Sequence, residues 1–197
     1  MVLIYVRHSK DEGKHPPVHR HDGHITSNGK KIAYQKGKKL IKKYGLPDIC
    51  YVSPFERTKE TLNYMLYRVS EEDRAKIQVI ADPRLGRVFS KAQQQDPSVF
   101  TATREAGIQI VETTEQIKAR VNLHIRELQA KNRSDQVIWC ITHAIIFKAI
   151  AKYYKVEGIP KFIPFMMSFR VSSPDNLPPP RETLHFAPVC KKCGVVH

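Results

Sequence analysis

The sequence predicts an α/β fold: a mostly parallel sheet flanked by helices on both faces, in three layers. Three observations carry this expectation. Continuous apolar runs at residues 3–6, 49–52 and 137–141 read as strands buried on both faces, the pattern of parallel sheets. Stretches of helical period lie between them. The order strand, helix, strand, helix, strand, insertion, helix, strand, helix alternates as parallel crossover units do. In such sheets ligands bind outside the carboxyl ends of the strands, so residues just after each apolar run are the candidate functional residues.

The first run stops at Arg7-His8-Ser9. Residues 10–24 follow, with two prolines, two glycines and four histidines, and read as an irregular loop. Thr26 or Ser27 is placed to cap a helix. Ala33, Gly37, Leu40, Ile41 and Tyr44 share its apolar face, and Lys31, Lys38, Lys39, Lys42 and Lys43 the other. Gly45 and Pro47 end it. The second strand, at residues 48–52, leads to Ser53-Pro54-Phe55-Glu56-Arg57-Thr58. There a helix starts whose free N–H groups favour an anion beside Arg57. Thr58, Leu62, Met65, Leu66 and Val69 point it to the core. Residues 76–80 read as a third strand, and residues 88–110 as an insertion over the site. A long helix opens at Thr113 or Thr114, with Ile117, Val121, Leu123, Ile125 and Leu128 on its apolar side. The strand at residues 137–141 ends at Thr142-His143-Ala144, and a helix follows at once. Later strands are expected at residues 166–171 and 183–186.

At 197 residues the chain suits one domain, residues 1–188, with a C-terminal tail, residues 189–197. The 41% apolar content fits a globular protein. No apolar stretch is long enough for a membrane span, and no secretory leader is read. Four scattered cysteines do not form a disulfide framework. A reducing, cytoplasmic setting is the default expectation. The net charge of +14 favours anionic partners. Nucleic acid is set aside, since no recognition motif or aromatic stacking pattern accompanies the charge. No cofactor is called for. Cys190, Cys193 and His197 could supply half of a structural zinc site, but a second pair of ligands is missing and a disordered tail is the better reading. Oligomeric state is not legible.

The predicted topology brings Arg7, His8, Arg57 and His143 to one crevice. Two imidazoles and two guanidiniums suit a phosphoryl group. A neutral imidazole can attack phosphorus; guanidiniums depress its pKa and grip phosphate oxygens in a fork.

Four blocks extend the pattern: Val6-Arg7-His8-Ser9; Asp22-x-x-Ile25-Thr26-x-x-Gly29; Val52-Ser53-Pro54-x-x-Arg57-Thr58-x-x-Thr61; and Ile141-Thr142-His143-Ala144. In this order the chain resembles the histidine phosphatase superfamily, the phosphoglycerate mutase-like fold, over roughly residues 2 to 153. The resemblance implies that His8 is the phosphorylated nucleophile, that Arg7, Arg57 and His143 form the phosphate pocket with Ser9 beside them, and that no metal is obligatory. It places the chain in the mutase and small-phosphatase branch. There are departures. Ser9 stands where the family usually has Gly. Lys10 and Lys14 stand where mutase-like members carry Glu and Asn. Arg87 follows Arg84-Leu85-Gly86 where a general-acid Glu is usual. A guanidinium does not readily give up a proton, so Asp22, Asp11 and Glu12 are the candidate acids, Asp22 first. The expected activity is hydrolysis of phosphomonoesters or phosphorylated protein side chains, on a phosphorylated small molecule or phosphoprotein. The rival reading is a weak or inactive module that binds a phosphorylated partner.

Overall fold

The computed structural model describes residues 1–12, 23–89, 112–131 and 133–171. Its elements are β1 (Val2–Arg7), α1 (Ser27–Tyr44), β2 (Ile49–Val52), α2 (Glu56–Met65), α3 (Glu71–Ala75), β3 (Gln78–Ala81), a 3-10 turn (Pro83–Leu85), α4 (Thr114–Lys131), β4 (Val137–Thr142), α5 (Ala144–Tyr153) and β5 (Ser168–Val171). The five strands lie in the order β3-β2-β4-β1-β5. β1 and β2 both run parallel to β4, β3 runs parallel to β2, and β5 is antiparallel on β1.

The apolar runs are buried on both faces because side chains alternate across a strand. Leu3, Tyr5, Ile138 and Cys140 face one way, against Val121, Ile125 and Leu128 of α4 and Ile146, Phe147 and Ile150 of α5. Ile4, Val6, Trp139 and Ile141 face the other way, against Ala33 and Leu40 of α1 and Leu62 and Met65 of α2. That is the three-layer arrangement. Each buried aliphatic or aromatic side chain contributes roughly 1.5–3 kcal/mol. Two glycines set close approaches. A Cβ on Gly37 would stand 2.0 Å from the Met65 carbonyl oxygen, so only glycine lets α1 and α2 meet there. A Cβ on Gly29 would stand 2.3 Å from the Lys10 carbonyl oxygen, where the chain leaving the site crosses α1.

The differences from expectation have local causes. α3 buries no residue, so no apolar period announced it; Ser70 caps it by accepting from the Asp73 N–H. β3 begins at Gln78, two residues later than the pattern suggested. It is the edge strand, and Val79 is exposed. Phe55 is the N-cap of α2, which places Pro54 just before the helix. Leu123 is 52% exposed and leaves the apolar side of α4, where the buried His124 enters instead. β5 starts at Ser168 because Met166 has φ +58°, a left-handed backbone that no strand accommodates. The strand expected at residues 183–186, the C-terminal tail and nearly all of the insertion lie outside the described residues.

Candidate active site

Three parallel strands finish level with one another. Arg7 pairs with Thr142, Val6 with Ile141, and Val52 with Ile141. The residues that follow therefore emerge on one sheet edge. The His8 N–H donates to the Thr142 carbonyl at 2.9 Å and the Ser53 N–H to the Ile141 carbonyl at 3.1 Å, which carries the register one step beyond the strands. His8 and His143 then face each other with ring centroids 5.1 Å apart. Arg57, in the first turn of α2, reaches them with Nη2 3.3 Å from His143 Nδ1. The N-termini of α2 and α5 open on the same edge, and neither has a side-chain cap. In contrast α1, whose start packs on Ser9 and Lys10, is capped by Thr26. Two uncapped helix starts add partial positive charge to the crevice.

The hydrogen bonds assign the tautomers. A carbonyl only accepts, so His8 Nδ1–H donates to the Ser9 carbonyl at 2.8 Å and Nε2 keeps its lone pair. A guanidinium only donates, so His143 Nδ1 accepts from Arg57, and its Nε2–H faces Ser53 Oγ at 2.9 Å. Burial holds the His8 pKa well below the ordinary imidazole value; Arg57 lowers it further, and Arg7 and Arg87 add to this against the opposing Ser9 carbonyl. His143 is depressed in the same direction by burial, then by Arg57, His8, Arg87 and Arg120. Both rings are thus neutral at pH 7.

This has a consequence for stability. The unfolded chain takes up protons on both imidazoles as pH falls through about 6.5, while the folded chain does not until lower pH. Stability therefore declines below about pH 6.5, by at most about 1.4 kcal/mol per pH unit for each ring. Denaturant melts between pH 7 and pH 5 should show a fall toward about 3 kcal/mol per unit from the pair. A flat profile would mean that the rings are charged in the folded protein.

Arg7 is held from two sides. Its Nη1 donates to the Ile163 carbonyl, and its guanidinium lies 4.1 Å from the Phe165 ring centroid. Its buried Nε has no partner among the described residues. The Phe165 ring also meets His8, edge-on at 5.7 Å. Ser9 is fully buried; its hydroxyl donates to the Gly29 carbonyl at 2.7 Å and its N–H to Thr61 Oγ1 at 2.9 Å. Both groups brace the loop against α1 and α2. Asp22 lies outside the described residues, as do Cys190, Cys193 and His197. Asp11 does reach the crevice: its Oδ2 is 3.7 Å from Arg57 Nε. Glu12 is exposed. The two ends of the histidine-rich loop meet there, through Glu12 N–H to the His24 carbonyl at 3.0 Å and Thr26 N–H to the Lys10 carbonyl at 2.9 Å.

Among the described residues, His24, Glu56 and Glu60 have donor atoms close enough to share a metal ion. Their contacts are those of an ion pair that pins the loop: His24 Nδ1 lies 2.9 Å from Glu60 Oε1, and Glu60 Oε2 accepts the Ile25 N–H at 2.7 Å.

Two groups were not picked out from the sequence as site residues. Arg87 is delivered to the crevice by a braced turn. Arg120 donates to the carbonyls of Pro83, Arg84 and Gly86 at 3.2, 2.8 and 3.1 Å, and Thr142 Oγ1 donates to the Leu85 carbonyl at 2.7 Å. Asp82 anchors the start of the turn. Burial pushes its carboxyl up, but bonds from His124 and Arg84 outweigh that and hold it well below the usual carboxylate range. Ser53 is the other group, as the partner of His143. The Arg-Leu-x spacing pointed to residue 87; Ser53 stood in the Val52-Ser53-Pro54 block without a role assigned to it.

Similar structures share this architecture at low identity. A mycobacterial glucosyl-3-phosphoglycerate phosphatase matches at 17% identity over 86% of this chain and 88% of its own, with a TM-score of 0.59. The phosphoglycerate mutase of Bacillus anthracis str. Sterne matches at 14% identity over 86% of each chain, with a TM-score of 0.63. The ecdysone phosphate phosphatase of Bombix mori, in complex with tungstate, matches at 13% identity over 93% of this chain and 96% of its own, with a TM-score of 0.62. No functionally curated protein matches the sequence. The family model of the histidine phosphatase superfamily, branch 1, matches residues 3–169, a span that includes all four residues of the crevice, and the chain belongs to that superfamily.

Proposed function

We propose that the protein hydrolyses phosphomonoesters through a phosphohistidine on His8. The observation that carries this reading is the pairing of a neutral His8, its Nε2 lone pair free of the Ser9 bond, with the Arg57 guanidinium and His143 in a buried crevice. His8 Nε2 attacks phosphorus and an N–P bond forms as the ester P–O bond breaks. The leaving oxygen takes a proton. Water then attacks the phosphoimidazole, the N–P bond breaks, phosphate leaves, and the imidazole returns to its neutral Nδ1–H form. Nδ1–H stays on the Ser9 carbonyl throughout, which orients the ring and disperses the positive charge of the intermediate. Arg57 and Arg7 meet the equatorial oxygens, and the Arg7 Nε, without a partner among the described residues, is a donor that phosphate can satisfy. His143, with its open helix N-terminus, adds a further donor surface. Ser9 acts by bracing.

Quenching in alkaline detergent during turnover of a 32P-labelled monoester tests the reading. Label that stays on the protein, labile to acid and stable to base, and absent from His8→Ala, is the expected result. Turnover without any trapped phosphoenzyme, or label retained in the variant, would overturn it. A second reading, a module that binds a phosphorylated partner without turnover, is favoured by Arg87 alone: among the described residues the braced turn presents a cation where a proton donor would serve an alkoxide. It predicts Arg57-dependent binding of phosphate without hydrolysis.

A further inference from the structure

We propose that the leaving-group side of the pocket is an aromatic wall built by Phe165 and extended by Phe162, and that it selects aryl phosphates. This rests on the phosphatase reading above and names its substrate class. Two independent observations converge on it.

The first is chemical. Phenolate is the conjugate base of an acid of pKa about 10, as in tyrosine. An aliphatic alkoxide is about as basic as hydroxide, whose conjugate acid lies near 15.7. An alkyl ester therefore needs a proton donor as its bond breaks, and a positioned acid supplies roughly 10²–10⁴-fold in rate. At residue 87, where the resemblance places that acid, the turn fixed by Arg120 and Thr142 brings Arg87, which lowers the pKa of both histidines; Asp11 also reaches the crevice, 3.7 Å from Arg57 Nε. A cation can stabilise a departing phenolate by charge alone. It cannot protonate an alkoxide.

The second is geometric. The segment before β5 is fastened to the nucleophile's own strand. Arg7 N–H donates to the Met167 carbonyl at 2.9 Å, Arg7 Nη1 to the Ile163 carbonyl, and Met167 N–H to the Pro164 carbonyl at 3.2 Å. Ile163 is buried as the plug of this segment, and Met166 takes a left-handed backbone to turn it. Held this way, Phe165 sets its half-buried ring against His8 and over Arg7. Phe162, in the same tethered segment, is 83% exposed, and Lys148 of α5 donates to the carbonyl of its neighbour Lys161. Ile145, one turn before Lys148 on α5 and two residues after His143, is 50% exposed. Phe165 thus borders a pocket whose other lining is cationic, and Phe162 and Ile145 are exposed apolar side chains on the segments that carry Phe165 and His143. An anionic phosphate joined to a flat apolar ring matches both halves.

The test compares kcat/KM for phenyl phosphate and hexyl phosphate, which are similar in size and apolar character, in the wild type, Phe162→Ala and Phe165→Leu. Inhibition by inorganic phosphate in each variant reports whether the phosphate pocket is intact. The wild type should prefer phenyl phosphate by on the order of 10²-fold or more. That ratio should drop about 3- to 10-fold in a variant, through KM, as the ring contact is lost. Because Phe162 is solvent-facing, its truncation leaves the fold in place even if Phe165→Leu does not. A phosphotyrosine peptide in a third arm distinguishes a protein side chain from a free small molecule as the source of the aryl group; turnover of either supports the class. Equal efficiency on phenyl and hexyl phosphate, or a preference that neither variant alters, overturns the proposal and leaves the phosphatase reading standing. No turnover of any ester and no phosphoenzyme overturns both.

Discussion

His8→Ala loses phosphatase activity by on the order of 10⁴–10⁶-fold in kcat/KM, the scale seen when a covalent nucleophile is removed. The size follows from the geometry. No second imidazole can take over, because His143 Nδ1 is occupied by Arg57 and its Nε2–H faces Ser53. The variant should still fold. His8 is 6% exposed and contacts its neighbours mainly through ring edges to His143 and Phe165. It also carries one of three buried imidazoles, with His124 and His143, whose pKa is lowered in the folded state. The fall in stability between pH 7 and pH 5 should therefore shrink by at most about 1.4 kcal/mol per pH unit. Activity assays and denaturant melts of the same preparation check both statements together. Retention of more than about 1% of activity, set against the loss expected for a nucleophile, would assign the chemistry to another group.

Arg57→Ala lowers kcat/KM by about 10²–10³-fold, the usual cost of one preorganised donor to transition-state charge. Arg57→Lys recovers part of this, because a point charge remains while the two-pronged grip on phosphate is lost. Arg57 is the group that organises the crevice: it is buried, donates to His143 Nδ1, lies near Asp11, and is the largest charge acting on both imidazoles. Its removal should move the acid limb of the pH–rate profile upward, toward the unperturbed imidazole value of about 6.5. The sign is fixed by charge. Taking away a cation makes protonation of His8 easier, so the nucleophile is lost at higher pH. A pH–rate profile of Arg57→Ala with an unmoved acid limb would separate Arg57 from the tuning of His8.

His8 and its neighbours in the crevice were legible because each sits where a local signal changes. A run buried on both faces ends, and a charged or ring-nitrogen side chain follows: Val6 then Arg7-His8, and Ile141-Thr142 then His143. Arg57 was legible for a related reason, as a cation one residue inside a helix that starts just after a buried strand. Such transitions need only near neighbours in the chain to be read. The edge strand β3 and the short α3 were misjudged or missed because they bury little, and burial is what writes a period into a sequence. Leu123 was assigned to the core on period alone, and the buried His124 on the same helix belonged there because Asp82, 42 residues away, accepts its proton.

What the sequence determined by itself was the alternation of buried strands and amphipathic helices, hence the layered sheet and the residues presented at its carboxyl edge. The tertiary structure alone decided that Ser9 bonds to Gly29 and Thr61, that Arg57 meets Nδ1 of His143 and Ser53 its Nε2, and that Phe165 packs against both Arg7 and His8. These are meetings between segments separated by tens to more than a hundred residues. Hydrophobic pattern is a local quantity fixed by backbone period, whereas a hydrogen bond or a charge–charge contact depends on a distance of a few ångströms that only the folded chain sets.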